Sequence, residues 1–360
     1  MAPSSLENQL KAALESREAR HIRRSLPPSA DTSLVDFSSN DYLSLSKSSE
    51  LRARFLEKLA SAEQILGSGG SRLLINGSAH VGLEDRLRIF FNPSDGVRTS
   101  RPPSAPTLTL DALLFNSGFD ANVGFFACVP QHGDFTVYDE YIHASVHDGM
   151  RMSRAKSIPF KHNSSRDLER VLAGLKGDHP RLSDGIGSVF IAIESLYSMD
   201  GTVSPLADIT RLAESAFPSN NAYVYVDEAH STGIYGSGGR GLVNLFGLED
   251  RVFARLHTFG KALAGTGGES AGSDIVNSLL NHGTAVLLVP PLVKQYLINY
   301  ARTLIYTTSL SYANIISAGC SFDILDSGCA EEVWLETHAV LFSTDVFAAF
   351  TPCVGHFGIP

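Results

Sequence analysis

Apolar residues recur along this chain with two different periods, and the change of period divides it. Near the start, Leu6, Leu10 and Leu14 repeat every fourth residue in a charged background, which predicts an amphipathic helix ending before Pro27 and Pro28. Such a stripe suits packing on a larger body; a solvated tail is the plainer alternative. From about residue 50 onward, short β-rich runs alternate with helical stretches: ALLFNSG (112–118), DFTVYDE (134–140), SVFIAIES (188–195), AYVYVDEAH (222–230) and FARLHTFGK (253–261). That alternation predicts an α/β fold with a mostly parallel sheet covered by helices. The run VFIAI is apolar on both faces, as a buried parallel strand requires. Several runs end in polar or glycine-rich clusters, and ligands of open α/β sheets bind beyond the carboxyl ends of the strands. The chemistry is therefore expected at those ends.

Two segments read as insertions. RTSRPPSAPTLTLD (98–111), rich in Pro, Ser and Thr, predicts a surface loop, whereas ESAGSDIVNSLLNH (269–282) carries no comparable signal.

With 360 residues, 43% of them hydrophobic, the chain can fill one large α/β domain and a smaller one. A formal charge of -9 and a pI near 5.7 provide no electrostatic footprint for nucleic acid or an anionic membrane, so a small-molecule substrate is expected. Cys128, Cys320, Cys329 and Cys353 form no CxxC pair and have no histidines at metal-ligand spacing, which argues against a zinc site or a disulfide framework. No apolar run resembles a signal peptide or a bilayer span, and the final GHFGIP matches no peroxisomal tripeptide. A cytoplasmic location is the resulting expectation; a peroxisomal one stays open should the native C-terminus lie beyond this sequence.

Asp227 closes the apolar strand VYV, where a carboxylate is costly unless paired. A protonated pyridine nitrogen would be such a partner, and its protonation lets the ring draw electrons from a substrate carbanion. Capping of the next helix explains the same residue as well. Lys261 follows another strand, hemmed by Gly260 and Gly265, so a planar ligand can approach it closely; an ordinary exposed lysine is the commoner case. What changes the odds is finding both at strand ends in this order. FNSGFDANVG (115–124) joins a strand to a helix, where backbone N–H groups around Gly118, Phe119 and Asp120 can cradle a phosphate. His143, in YIHAS, could stack its imidazole on a ring or serve the structure alone. Ser198 and His230, just past strand ends, could hydrogen-bond a phenolic oxygen.

Two resemblances mislead. VYVDEAH looks like the acidic strand of a nucleotide hydrolase, but no GxxxxGK[ST] loop exists. GSGGSR (67–72) and GSGGRG (236–241) lack the GxGxxG spacing of a dinucleotide site, and tight turns account for them better.

Together FSSNDYLSLS (37–46), GSGGSRLLINGSAHVGLEDRL (67–87), FNSGFDANVG, YIHAS, ESLYSMDGTVSPL (194–206), VDEAHSTGIYGSGGRG (226–241), TFGKALAGTGG (258–268) and YARTLIYTTSLS (300–311) resemble the α-oxoamine synthase family of fold-type I pyridoxal-phosphate enzymes. The resemblance implies a fold-type I transferase with helices on both faces of the sheet. It divides the chain into an N-terminal helical arm (1–48), a large cofactor-binding domain (49–310) and a remnant of a small C-terminal domain (311–360). It implies pyridoxal 5'-phosphate as cofactor, no metal, and a homodimer with the active site between subunits.

In that family Lys261 would attach the cofactor and remove the α-proton of the amino acid. Asp227 would pair with the pyridine nitrogen, His143 would stack on the ring, and Ser198 and His230 would hold the phenolic oxygen. Gly118, Phe119 and Thr258 would contact the phosphate, with Thr307 or Thr308 reaching across from a second subunit. Arg23 and Asn40 match positions near the substrates. The variant GSGGSR followed by NGSAH most resembles the biotin-pathway members, which condense L-alanine with pimeloyl-CoA and release carbon dioxide and coenzyme A.

After SFDIL (321–325) the resemblance stops, and residues 326–360 contain no arginine, although the family's C-terminal domain normally supplies one that clamps the amino-acid carboxylate. A truncated, catalytically impaired homologue acting as a partner subunit is the rival expectation, as is a different amino acid and acyl-CoA pair.

Overall fold

The computed structural model describes residues 4–25, 39–92, 110–265 and 284–327. The expected insertion at 269–282, nearly all of that at 98–111, and most of the divergent tail lie outside the described residues.

The described residues fall into two compact units, one within 4–25 and the other within 39–92, 110–265 and 284–327. In the first, the predicted helix spans Ser5–Ala19. Ser4 accepts from the Glu7 N–H while the Glu7 carboxylate reaches back to the Ser4 N–H, a reciprocal cap that fixes the start. Leu6, Leu10 and Leu14 stay exposed, so the stripe finds no burial among the described residues.

The second unit is built on a seven-stranded sheet: β1 (Asp111–Phe115), β2 (Phe135–Asp139), β3 (Lys156–Phe160), β4 (Val189–Glu194), β5 (Ala222–Asp227), β6 (Ala254–Thr258) and β7 (Ala285–Val289), in the order β1-β7-β6-β5-β4-β2-β3. The run β6-β5-β4-β2-β3 is parallel throughout, and only β7 runs against its neighbours β1 and β6. Alternation along the strands sends successive side chains to opposite faces. Val189, Ile191 and Ile193 of β4 and Val224 and Val226 of β5 join a cluster with helices Ser165–Asp178 and Leu206–Ala216. Phe190, Ala192 and Tyr225 face the other way, onto helices Gly118–Cys128 and Ala144–Met152. Helices thus cover both faces, as the sequence predicts.

Helix Tyr312–Asp326 completes the core beside β1 and β7, packing with helices Ser49–Ser61 and Ser78–Phe91 around Leu87, Phe91 and Phe322. Arg86 fastens it by donating to Asp323 at 2.8 Å and Asp326 at 2.7 Å.

The first glycine cluster bends the chain at Gly69 and Gly70, and the second makes a tight turn. In the second, Gly236, Gly238, Gly239 and Gly241 all have positive φ, and a Cβ on Gly241 would fall 2.1 Å from Glu228 Oε2. The turn closes over that buried carboxyl, whose Oε1 accepts the Val243 N–H at 2.8 Å. Among the described residues, Cys128 and Cys320 are free, no cluster of metal-ligating side chains occurs, and no helix is long and apolar enough to cross a membrane.

Candidate active site

The carboxyl ends of β4, β5 and β6 bring the site together. Glu194 and Asp227 are register partners on adjacent strands, and Thr258 closes the next one. Past these ends lie Ser198, His230 and Lys261, while His143 follows β2 and Gly118 follows β1. The sheet order therefore gathers residues that are far apart along the chain.

Asp227 is buried, and both its oxygens are engaged: Oδ1 accepts the Ala229 N–H and Oδ2 accepts Asn122 Nδ2–H, each at 2.9 Å. A carboxylate has lone pairs to spare after two such bonds, so a further N–H donor can be accommodated. Tyr225 donates to Asn122 Oδ1 at 2.7 Å, which fixes the amide orientation. The second Nδ2–H of Asn122 goes to Ser145 Oγ at 2.9 Å, leaving the serine hydroxyl to donate to His143 Nδ1 at 2.7 Å. His143 Nδ1 also takes the Ser145 N–H at the start of helix Ala144–Met152, so in the neutral ring the proton belongs on Nε2. One asparagine thus couples the orientations of Asp227 and His143. Sequence reading missed Asn122, Ser145 and Tyr225, although Asn122 and Ser145 lie inside the quoted motifs FNSGFDANVG and YIHAS.

Burial lowers the Lys261 amine from its ordinary value, and the charges of Asp227 and Glu194 oppose that shift. Burial pushes the Glu194 carboxyl up to about 8, with repulsion from Asp227 adding and Lys261 opposing. Glu194 Oε2 accepts the Ser198 N–H at 3.4 Å, whereas Oε1 is buried without a hydrogen-bond partner among the described residues. Sequence reading missed Glu194 also, though ESLYSMDG begins with it. His230 is lowered to about 4 by burial and then by Lys261, with Asp227 opposing; its Nδ1 lies 2.8 Å from the Tyr42 hydroxyl. That hydroxyl also lies 3.0 Å from Asn40 Oδ1, which brings Asn40 to the site through one intervening side chain.

At the start of helix Gly118–Cys128, Ser117 caps by accepting the Asp120 N–H at 3.0 Å. A Cβ on Gly118 would come within 2.5 Å of Thr258 Cγ2, so the missing side chain is what lets Thr258 approach the helix terminus. Among the described residues the Thr258 hydroxyl has a single long bond, to the Ala229 carbonyl at 3.4 Å, and can turn to a ligand. Phe119 is exposed and meets the His143 ring edge-on, centroids 6.4 Å apart. Thr307 and Thr308 lie beside Asn116, whose Nδ2 donates to Thr307 Oγ1 at 3.3 Å and to the Thr308 carbonyl at 2.7 Å. Arg23 belongs to the N-terminal unit, where it pairs with Glu18 at 3.4 Å.

A strand-end carboxylate with spare acceptor capacity, a buried amine, and an open helix terminus with a threonine hydroxyl match the three polar handles of pyridoxal phosphate: its ring nitrogen, aldehyde carbon and phosphate. The model of the aminotransferase class I and II family matches residues 32–325. This chain belongs to that family. Within the aminotransferase class I and II proteins it is 45% identical over 336 residues to 8-amino-7-oxononanoate synthase of Emericella nidulans, covering 92% of this chain and 73% of that one. It is 35% identical over 301 residues to aminoacyl transferase sphA of Aspergillus fumigatus, covering 83% of this chain but only 57% of that protein. Among solved structures, 8-amino-7-oxononanoate synthase from Francisella tularensis matches with a TM-score of 0.57 and 26% identity, covering 82% of this chain and 70% of that one. A serine palmitoyltransferase from S. paucimobilis shares the fold with a TM-score of 0.67 at 24% identity, over 91% of this chain and 74% of that one. The resemblance to α-oxoamine synthases and the expected fold are both borne out.

Proposed function

We propose that this chain is a pyridoxal-phosphate-dependent C-acyltransferase that joins an amino acid to an acyl-CoA, with loss of carbon dioxide and coenzyme A, and that it works as a homodimer. L-alanine and pimeloyl-CoA are the favoured pair, because 8-amino-7-oxononanoate synthase is the relative at 45% identity. The observation that carries the reading is the buried Lys261 amine in the field of two strand-end carboxyls, Asp227 and Glu194.

When bound, pyridoxal phosphate supplies an electron sink for a carbanion at the amino acid's α-carbon. Lys261 would hold the cofactor and, once the substrate's amine has displaced it, would take the α-proton; burial favours the neutral amine that a base must be. Asp227, held by Asn122 and the Ala229 N–H, would accept the pyridine N–H and so keep that nitrogen charged. His143 would stack its ring on the cofactor, and Ser198 and His230 would hold its phenolic oxygen. Gly118, Phe119 and Thr258 would hold the phosphate at the helix terminus, joined by Thr307 or Thr308 of a second copy. Asn40 and Arg23 serve the substrates. Similarity to aminoacyl transferase sphA favours, as a second reading, another amino acid and acyl-CoA pair on the same machinery.

Borohydride treatment of cofactor-loaded protein is expected to fix one pyridoxyl group on the Lys261 peptide and none in Lys261→Ala. Absence of any fixed group would sink the cofactor assignment. Coenzyme A release from pimeloyl-CoA with L-alanine, run beside serine, glycine and longer acyl-CoAs, assigns the pair. No thiol release with any combination would replace the acyltransferase by a catalytically impaired partner subunit.

A further inference from the structure

Three strand-end loops meet on one imidazole that the proposed chemistry does not use. Strands β4, β2 and β3 lie side by side and parallel, so their carboxyl ends share an edge. Asp139 ends β2, His162 follows β3, and Asp200 and Thr202 lie in the loop after β4. His162 Nδ1 is 2.8 Å from Asp139 Oδ1. Its other nitrogen, Nε2, is 3.1 Å from Asp200 Oδ2, 2.9 Å from Thr202 Oγ1 and 3.0 Å from Asn163 Nδ2. Tyr141 stacks on the ring, centroids 4.3 Å apart, and Tyr197 meets it edge-on at 4.5 Å. The His162 N–H donates to Glu140 Oε1 at 2.9 Å.

Each end of this bridge is fixed in turn. Asp139 is fully buried, a costly state for a carboxylate, and it also accepts the N–H groups of Tyr141 at 2.9 Å and Asn163 at 2.8 Å. The backbone then leads directly to His143. At the other end, burial would raise the Asp200 carboxyl, but hydrogen bonds from Thr202 and the charge of His162 outweigh it and hold the group below its ordinary value. Asp200 and Thr202 close a tight turn in which the Tyr197 N–H donates to the Thr202 carbonyl and the Gly201 N–H to the Tyr197 carbonyl, both at 2.9 Å. Gly201 has a φ of 72°, which a residue with a side chain rarely adopts. Ser198 sits inside that turn.

We propose that His162 is a positioning residue that ties the Ser198 turn to the His143 loop through Asp200 and Asp139. It touches neither cofactor nor substrate. The functional consequence rests on the roles given above to Ser198 and His143; the mechanical link does not.

Hydrogen exchange on cofactor-free protein tests the link directly. In His162→Gln, whose amide cannot serve both carboxylates, peptides covering 139–143 and 195–203 are expected to exchange about tenfold faster, while helix Leu206–Ala216 keeps its wild-type rate. Asp200→Asn, at a more exposed position, is expected to give the same local pattern in 195–203. Unchanged exchange in both loops, or acceleration spread to Leu206–Ala216, overturns the proposal. On loaded protein, His162→Gln is expected to weaken pyridoxal phosphate binding less in a Ser198→Ala background than in the wild type, since the part of its effect that runs through the Ser198 turn is already lost. Additive losses would also overturn it. Should the wild type bind no cofactor, the functional reading fails while the exchange experiment still decides the link.

Discussion

Glu194 and Asp227 stand opposite each other across the β4–β5 ladder, so two carboxyl groups end adjacent parallel strands beside one buried amine, Lys261. Burial comes first in raising Glu194 to about 8, repulsion from Asp227 second. The raised value favours the protonated form of Glu194, which can donate as well as accept, and among the described residues its Oε1 has no hydrogen-bond partner.

A stability signature follows. An acid whose folded value lies above its unfolded value of 4.5 keeps its proton in the folded state after the unfolded chain has released it. Its contribution is fullest below pH 4.5 and declines as pH rises toward 8. Across that window the thermal midpoint of cofactor-free Glu194→Gln should rise relative to that of the wild type, because the variant lacks this decline. Parallel curves for the two proteins would refute the assignment.

Histidines give the opposite slope. Burial, followed by Arg72 for His80 and Lys261 for His230, lowers both rings to about 4. Below 6.5 the unfolded chain takes up protons that the folded protein refuses, so stability present above 6.5 is lost as pH falls toward 4. Urea midpoints measured through this range are expected to drop less steeply in His230→Gln; an unchanged slope would show that His230 does not contribute.

Gly118→Ala places a methyl group where Thr258 now sits, 2.5 Å from its Cγ2. Overpacking of this kind costs about 1–3 kcal/mol. Calorimetry should detect that loss, and cofactor titration should show weaker binding, because Thr258 must leave the helix terminus. A variant with wild-type stability and affinity would mean the cradle is not tight.

Much of the frame was legible because it is written locally. The 4-residue spacing of Leu6, Leu10 and Leu14 and the Ser4/Glu7 cap set the first helix without help from the rest of the chain. VFIAI and AYVYVD announce strands by being apolar on both faces. β7, AVLLV, was not legible, since a short apolar run buried on all sides has no period that separates strand from helix. Edge strand β3, KSIPF, was hidden by Pro159, which only an edge tolerates, and by mostly exposed side chains.

For the candidate site, sequence alone determined which residue types stand at strand ends: Asp227, Lys261, His143 and the Gly118 turn. Tertiary structure decided which of them act on one another. The Asn122 bond between Asp227 and Ser145, the Glu194–Asp227 pairing and the His162 bridge each join segments that meet only because the sheet runs in the order β6-β5-β4-β2-β3. A strand's end is fixed by its own hydrophobic run. Its neighbours are fixed by how the whole sheet buries its two faces, and no local pattern carries that information.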